Sequence, residues 1–279
     1  MVTAKIQNSL FLRIKRYIYR HPAGCLVFLF LLSLGVKILV YKANPLLSRD
    51  AALYCLMVQE WYNTGSYQEM LKAFSGAEWI PPGFLWCLKS LMSTELTVQT
   101  AGIAFNIFCG LLLIPIGYAF AWEIFHSKKI ALITAAFLAV HPSINNLSID
   151  ITRDILSFTL QGAVLWCAIA GIRRKNWISW SLSALLAGMN FLVRYESLEY
   201  IPIIGIILTV LVIKRVFSWK KAVAFSGIWS AAFILSFVIC AYGIGRKEIA
   251  SSYSRYISGK INNVAKNLSG NLNNGENRK

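Results

Sequence analysis

The run AGCLVFLFLLSLGVKILVY, residues 23–41, is followed shortly by the polar stretch SRDAALY, residues 48–54. A helix needs about 20 predominantly apolar residues to cross the hydrocarbon of a bilayer, so the run reads as a first membrane span. It is preceded by Arg13, Lys15, Arg16 and Arg20. The run is longer than the apolar region of a secretory signal and has no small-residue cleavage site, which makes it an uncleaved anchor. Its basic flank places the N-terminus in the cytoplasm, and Asp50 then emerges on the opposite side.

The rest of the chain has the same character. It is 57% hydrophobic and 14% charged, with a mean hydropathy of +0.56; soluble domains carry about 25% charged residues. Beyond the first span, apolar runs cover Ala101–Phe125, Ile130–Ile144, Ile155–Ile172, Trp177–Val193, Leu198–Ile213 and Ala222–Gly243. The expected fold is therefore an all-α polytopic membrane protein with about seven transmembrane helices. The net charge of +16 comes from clusters between the runs: Lys128 and Lys129; Arg173, Arg174 and Lys175; Lys214, Arg215, Lys220 and Lys221. That distribution follows the positive-inside rule of cytoplasmic loops and argues against nucleic acid as a partner. The six cysteines are scattered and mostly lie inside apolar runs, as small buried hydrophobes do.

Three regions follow. Residues 1–22 form a basic cytoplasmic N-terminus, residues 23–245 the transmembrane module, and residues 246–279 a tail. Within the module, residues 42–97 make a long first extracytoplasmic loop. It holds two pieces of helical periodicity, Asp50–Asn63 and Phe84–Met92, separated by Gly65, Gly76 and Pro81-Pro82. Their aromatic content suits helices at the lipid headgroup level. In the tail, apolar residues recur with a helical period over 249–268, opposite Arg255, Lys260 and Lys266. This predicts a basic amphipathic helix on a membrane surface, followed by a disordered end.

With every basic cluster on one side, four polar clusters fall on the other. They are Arg49-Asp50 with Tyr54; Trp79 with Pro81-Pro82; His141 with Asn145, Asn146, Asp150, Arg153 and Asp154; and Arg194-Tyr195-Glu196. Ionisable side chains near a bilayer are costly and normally mark a site. Transporters place such groups at mid-membrane beside broken helices, whereas these sit at span ends.

In their order and spacing these stretches resemble the GT-C fold glycosyltransferases that use a polyprenyl-phosphate-linked sugar, in particular the protein mannosyltransferase and aminoarabinose transferase branch. The resemblance runs over residues 23–245 and rests on four stretches. These are Asp50-Ala51-Ala52-Leu53-Tyr54 after the first span, Pro81-Pro82-Gly83-Phe84-Leu85 at the corner before the second, the turn from Pro142 to Leu156 with Asp154, and Phe191-Leu192-Val193-Arg194-Tyr195-Glu196. It implies a glycosyltransferase of a bacterial inner (plasma) membrane, with a polyprenyl-phosphate sugar as donor, membrane lipids as surroundings, and a lipid, glycan or protein as acceptor.

The resemblance also implies residue roles. Asp50 matches the first-loop acid that takes the acceptor's proton or orients it for attack at the anomeric carbon; an Asp opening a helix also serves as an N-cap. Asp154 matches the acid of the second outer loop. With Asp150, which shares its helical face if the helix extends that far, it either holds a divalent metal or orients the acceptor, the alternative being a cap or a pair with Arg153. Arg194, with Arg49 or Arg153, suits the donor phosphate, because a guanidinium offers a fork of donors that keeps its proton; its alternative is a pair with Glu196 or snorkelling to the interface. His141, Tyr54 and Glu196 complete the candidate substrate-binding set.

Two departures accompany the resemblance. Ala51 stands where the family usually has a second acid, and the chain stops after the seventh run whereas relatives continue. The expectation is a minimal enzyme, a truncated product or a subunit completed by a partner. The rival class is a non-catalytic polytopic subunit or a transporter-like lipid-binding protein.

Overall fold

A computed structural model describes residues 21–45, 47–74, 77, 80–92, 96–244 and 258. The expected tail helix over 249–268 lies outside them except at Ser258, as do residues 1–20 and Trp79. The described residues form helices without strands, in the order α1 (Pro22–Ala43), α2 (Arg49–Thr64), α3 (Tyr67–Ala73), α4 (Pro82–Leu91), α5 (Val98–Phe125), α6 (Lys128–Val140), α7 (Pro142–Ile149), α8 (Arg153–Arg174), α9 (Trp177–Val193), a 3₁₀ turn (Tyr195–Glu199), α10 (Tyr200–Ile213) and α11 (Trp219–Ile244).

Five of these segments are long and apolar enough to cross a membrane: α1, α5, α8, the 3₁₀ turn with α10, and α11. A sixth span forms if α6 and α7 are counted together, although they bend by 50°. The sequence predicts one continuous run over Ile130–Ile144, but Pro142 forbids it. The residue before a proline is pushed out of the α region, and His141 accordingly takes φ −62°, ψ 121° and ends α6. The remaining expected span, α9, matches its predicted limits and is the shortest of the set at 17 residues.

The protein is an all-α polytopic membrane protein, and its surfaces show it. Along α1, Val27, Phe28, Leu31 and Leu39 are each 60–68% exposed, while the buried positions are the polar Ser33 and Lys37, one turn apart. A helix that shows its apolar side outward and its polar side inward is adapted to lipid, where an unmatched polar group is costly.

Two polar ties set α5 and α8 side by side in the same direction. Near the start of α5, Asn106 is fully buried and donates its side-chain amide to the carbonyls of Asp150 (2.5 Å) and Thr152 (2.9 Å), immediately before α8. Near the other end, buried Glu123 accepts from Arg173 at 3.2 Å and also pairs with Arg174 at the C-terminus of α8. Midway, the Thr159 hydroxyl donates to the Cys109 carbonyl. Helix α9 then packs against both α8 and α11. It is tied to α11 by the Trp180 indole N–H on the Phe225 carbonyl (2.7 Å) and the Ser236 hydroxyl on the Leu185 carbonyl (2.7 Å).

Helices α2, α3 and α4 form a cap that packs on α5 and α9. Their aromatic faces turn toward one another rather than toward lipid alone: Met57, Tyr67, Met70, Phe84, Leu85 and Leu88 are fully buried, with Trp61 against Tyr67 at 4.9 Å and Tyr54 edge-on to Phe84 at 5.6 Å. Gly65, in the left-handed region at φ 69°, ends α2 as a glycine does at little steric cost. At the other corner Pro82 opens α4 at a helix position that needs no N–H.

The next residue, Gly83, lets α4 touch the backbone of α9. A Cβ there would lie 2.6 Å from the Leu192 carbonyl oxygen. Gly83→Ala is therefore expected to force α4 away from the end of α9 and lower stability by about 1–3 kcal/mol, as overpacking does. Gly24→Ala, which meets open space, is expected to leave stability unchanged; thermal unfolding of the two purified variants checks both.

Candidate active site

The site begins with a cap. Ser48 accepts the Ala51 N–H at 3.1 Å and is the N-cap of α2. Asp50 is thus released from capping, the role an acid opening a helix would otherwise take. Its carboxylate is exposed in the first turn and has no hydrogen-bond or ion-pair partner among the described residues. Arg49 beside it is likewise exposed and uncommitted.

One turn on, α2 buries Tyr54. Burial raises the pKa of its hydroxyl above the ordinary tyrosine value. Of the surrounding charges Arg153 acts most strongly, in the opposite sense, followed by Asp50 and Asp154, which raise it, and Arg194, which lowers it. Tyr54 therefore stays a protonated phenol at neutral pH. The same four charges, from three separate stretches of sequence, thus act on one phenol.

Asp154 and Arg194 meet directly, the Arg194 Nη1 donating to Asp154 Oδ1 at 2.9 Å. Both are partly exposed, at 37% and 26% of their side chains. Glu196 lies on the other side of the guanidinium, 3.5 Å from its Nε. The partner of Asp154 is thus Arg194 rather than Arg153, and Arg194 is held between two carboxylates. The cap of α8 is Thr152, which leaves Asp154 in the first turn, where an acid is favoured by the helix dipole.

Asp150 plays a different part. Helix α8 starts at Arg153, so Asp150 lies in extended backbone at ψ 152° and does not share a helical face with Asp154. One of its oxygens accepts the N–H groups of Ser48 (3.3 Å) and Ile151 (2.9 Å), joining the start of α2 to the start of α8. Among the described residues no group of three or more His, Cys, Asp or Glu side chains is arranged to hold a metal ion. His141 is placed at the opposite end of α7 from Asp150, with its ring edge-on to Phe137 at 4.8 Å. Cys55, on α2, has its pKa pushed up to about 11 by burial and by Asp150.

Lys37 was passed over in the sequence although a lysine inside an apolar run is itself a signal. It is fully buried and donates to Asn145 Oδ1 at 2.5 Å, and Asn145 in turn donates to the Ala139 carbonyl. The first span is thereby fastened to α7, the segment that leads to Asp150 and Asp154. Asn106 and Asn145 carried no such signal, since a buried amide differs from a loop amide only in where the fold puts it.

The arrangement joins an uncommitted carboxylate, a phenol and several guanidinium groups at one end of a helical bundle, while Glu123, Arg173, Arg174 and His126 gather at the other. No curated protein matches the chain. The sequence profile of the dolichyl-phosphate-mannose-protein mannosyltransferase family matches residues 80–241, more than half of the chain, a stretch that includes Pro81-Pro82-Gly83, Asp154 and Arg194 and begins after Asp50. The chain belongs to that family and is a membrane glycosyltransferase of the GT-C type.

Proposed function

We propose that the protein moves a sugar from a polyprenyl-phosphate-linked donor to an acceptor outside the cytoplasm. What supports this reading is the Arg194–Asp154 ion pair at 2.9 Å, with Glu196 at 3.5 Å, joining the ends of two helices, together with the exposed and unpartnered Asp50, whose charge acts on Tyr54 along with those of Arg153, Asp154 and Arg194. The acceptor hydroxyl or amine gives its proton to Asp50 as its oxygen or nitrogen attacks the anomeric carbon. The bond from that carbon to the donor phosphate breaks with inversion, and the bonding electrons leave on the phosphate oxygen. Arg194, aided by Arg153 or Arg49, stabilises the charge gathering there. A preorganised guanidinium suits this step because charge is stabilised best by donors already aimed at it.

Asp154 accepts from the Nη1 of Arg194, while the Nε, 3.5 Å from Glu196, has no hydrogen-bond partner among the described residues and so keeps a donor for the phosphate. Ala51 leaves Asp50 as the single acid of this turn, so the proton transfer falls to one carboxylate. The positive-inside preference of the basic loops supports the Asp50 end outside and the Glu123 end in the cytoplasm. A non-catalytic lipid-binding subunit is the second reading. In its favour is the clamp itself, since an arginine between two carboxylates is also a structural element.

Transfer from a labelled polyprenyl-phosphate sugar in purified membranes separates the two. Asp50→Asn is expected to cut the rate roughly 10²–10⁴-fold, the contribution of a general base, with the protein present at wild-type level. Equal transfer by the variant would remove Asp50 from the chemistry, and none by wild type with any such donor favours the subunit reading.

Arg194→Lys keeps the charge but loses the planar fork. Its transfer rate is expected to fall while Lys→Arg changes at exposed Lys128 leave it unchanged, as measured by initial rates over a range of donor concentrations.

A further inference from the structure

A second charged feature lies at the opposite end of the bundle from Asp50. Between the C-terminus of α8, the start of α9 and the start of α11 runs a groove of about 110 Å³, lined by Lys175, Trp177, Val216, Phe217, Lys221 and Phe225. Its floor is fixed. Phe225 lies tilted against Trp177 at 4.0 Å and packs against Phe217 at 5.0 Å and Trp180 at 5.3 Å, and its carbonyl accepts the Trp180 indole N–H.

The charges around this floor are divided. Arg173 and Arg174, next in sequence to Lys175, are committed to Glu123. Lys175 and Lys221 have no carboxylate partner among the described residues, and no acidic side chain lines the groove. Two uncompensated ammonium groups therefore flank an aromatic and aliphatic surface at a span end, the level at which a membrane lipid carries its phosphate. Trp177 and Val216, which line the groove, are themselves exposed and extend its apolar surface outward.

We infer that this groove binds the headgroup of an acidic glycerophospholipid, with the phosphate between Lys175 and Lys221 and the first part of an acyl chain along Trp177 and Val216. Charge complementarity selects the occupant. The chain's own tail is rich in Lys and Arg, the wrong sign for this place, and a neutral lipid would leave both ammonium groups unmatched. Basic pockets between membrane helices on the side of the basic loops bind acidic headgroups in this manner. The site is separate from the proposed donor site, because the donor phosphate is assigned to Arg194 at the other end.

The test is lipid retention by full-length protein in nanodiscs of mixed phosphatidylglycerol and phosphatidylcholine, read by native mass spectrometry. Wild type is expected to retain phosphatidylglycerol over phosphatidylcholine by roughly 30-fold, from two lysines each contributing near a membrane surface. Lys175→Gln/Lys221→Gln is expected to lose that preference, and Lys128→Gln/Lys129→Gln at the same end to keep it. Thermal stability in each lipid, measured alongside, shows that the variants are folded. Equal retention of the two lipids by wild type, an unchanged preference in the Lys175/Lys221 variant, or a copurifying protein on the groove in place of lipid would each overturn the inference. Sugar transfer does not enter this readout, so failure here and failure of the proposed reaction are distinguishable.

Discussion

The amide of Asn106 is the contact on which the site depends. It is buried in a membrane-spanning helix, where an unmatched donor is costly, and both of its bonds go to backbone carbonyls just ahead of α8. Those bonds determine where α8 starts and therefore where Asp154 stands. The buried Glu123 with Arg173 and Arg174 does the same for the far end. Only Glu123 is buried, the arginines being 43% and 60% exposed, so the pairs themselves add little; leaving the buried carboxylate unmatched would be costly, which favours one alignment of the two helices.

The positions of the candidate site side chains follow from that alignment. Asp154, fixed at the head of α8, meets Arg194 at the end of α9. Helix α9 is held there by its bonds to α11 and by the close approach of Gly83 to Leu192. Helix α2 carries Tyr54 within the electrostatic reach of this pair, with Asp150 bonding Ser48 and Lys37 bonding Asn145 as the fasteners between the first span and the α7–α8 turn. Proline and glycine at the corners thus act on the chemistry through distance, since they set how near α4 can come to the arginine. The two ends of the bundle are also chemically distinct, with acids and arginines interleaved at one and lysines left uncompensated at the other.

Much of the fold was legible in the sequence because lipid imposes a length and an apolarity on each span. The limits of α9 came directly from the run Trp177–Val193, and the basic clusters sorted the polar residues into one set before any contact was known. Pro142 announced a break that the apolar run around it concealed. Ser48 as the cap in place of Asp50 was a matter of two positions, and cap residues differ too little in sequence preference to decide it. What sequence could not contain was the partner of each polar group. The pairing of Arg194 with Asp154 spans forty residues, and the turn of the α2–α4 aromatics toward each other depends on packing between segments that are separately amphipathic.

By the positive-inside preference the Asp50–Arg194 end is expected outside the cytoplasm and the Lys175 end within it. In a functional variant lacking native cysteines, a single cysteine at position 49 or at position 175 can be labelled with a membrane-impermeant maleimide on intact cells. Cys at 49 is predicted to react before permeabilisation and Cys at 175 only after it. Labelling of both positions from the same side, or of 175 alone from outside, would contradict the account.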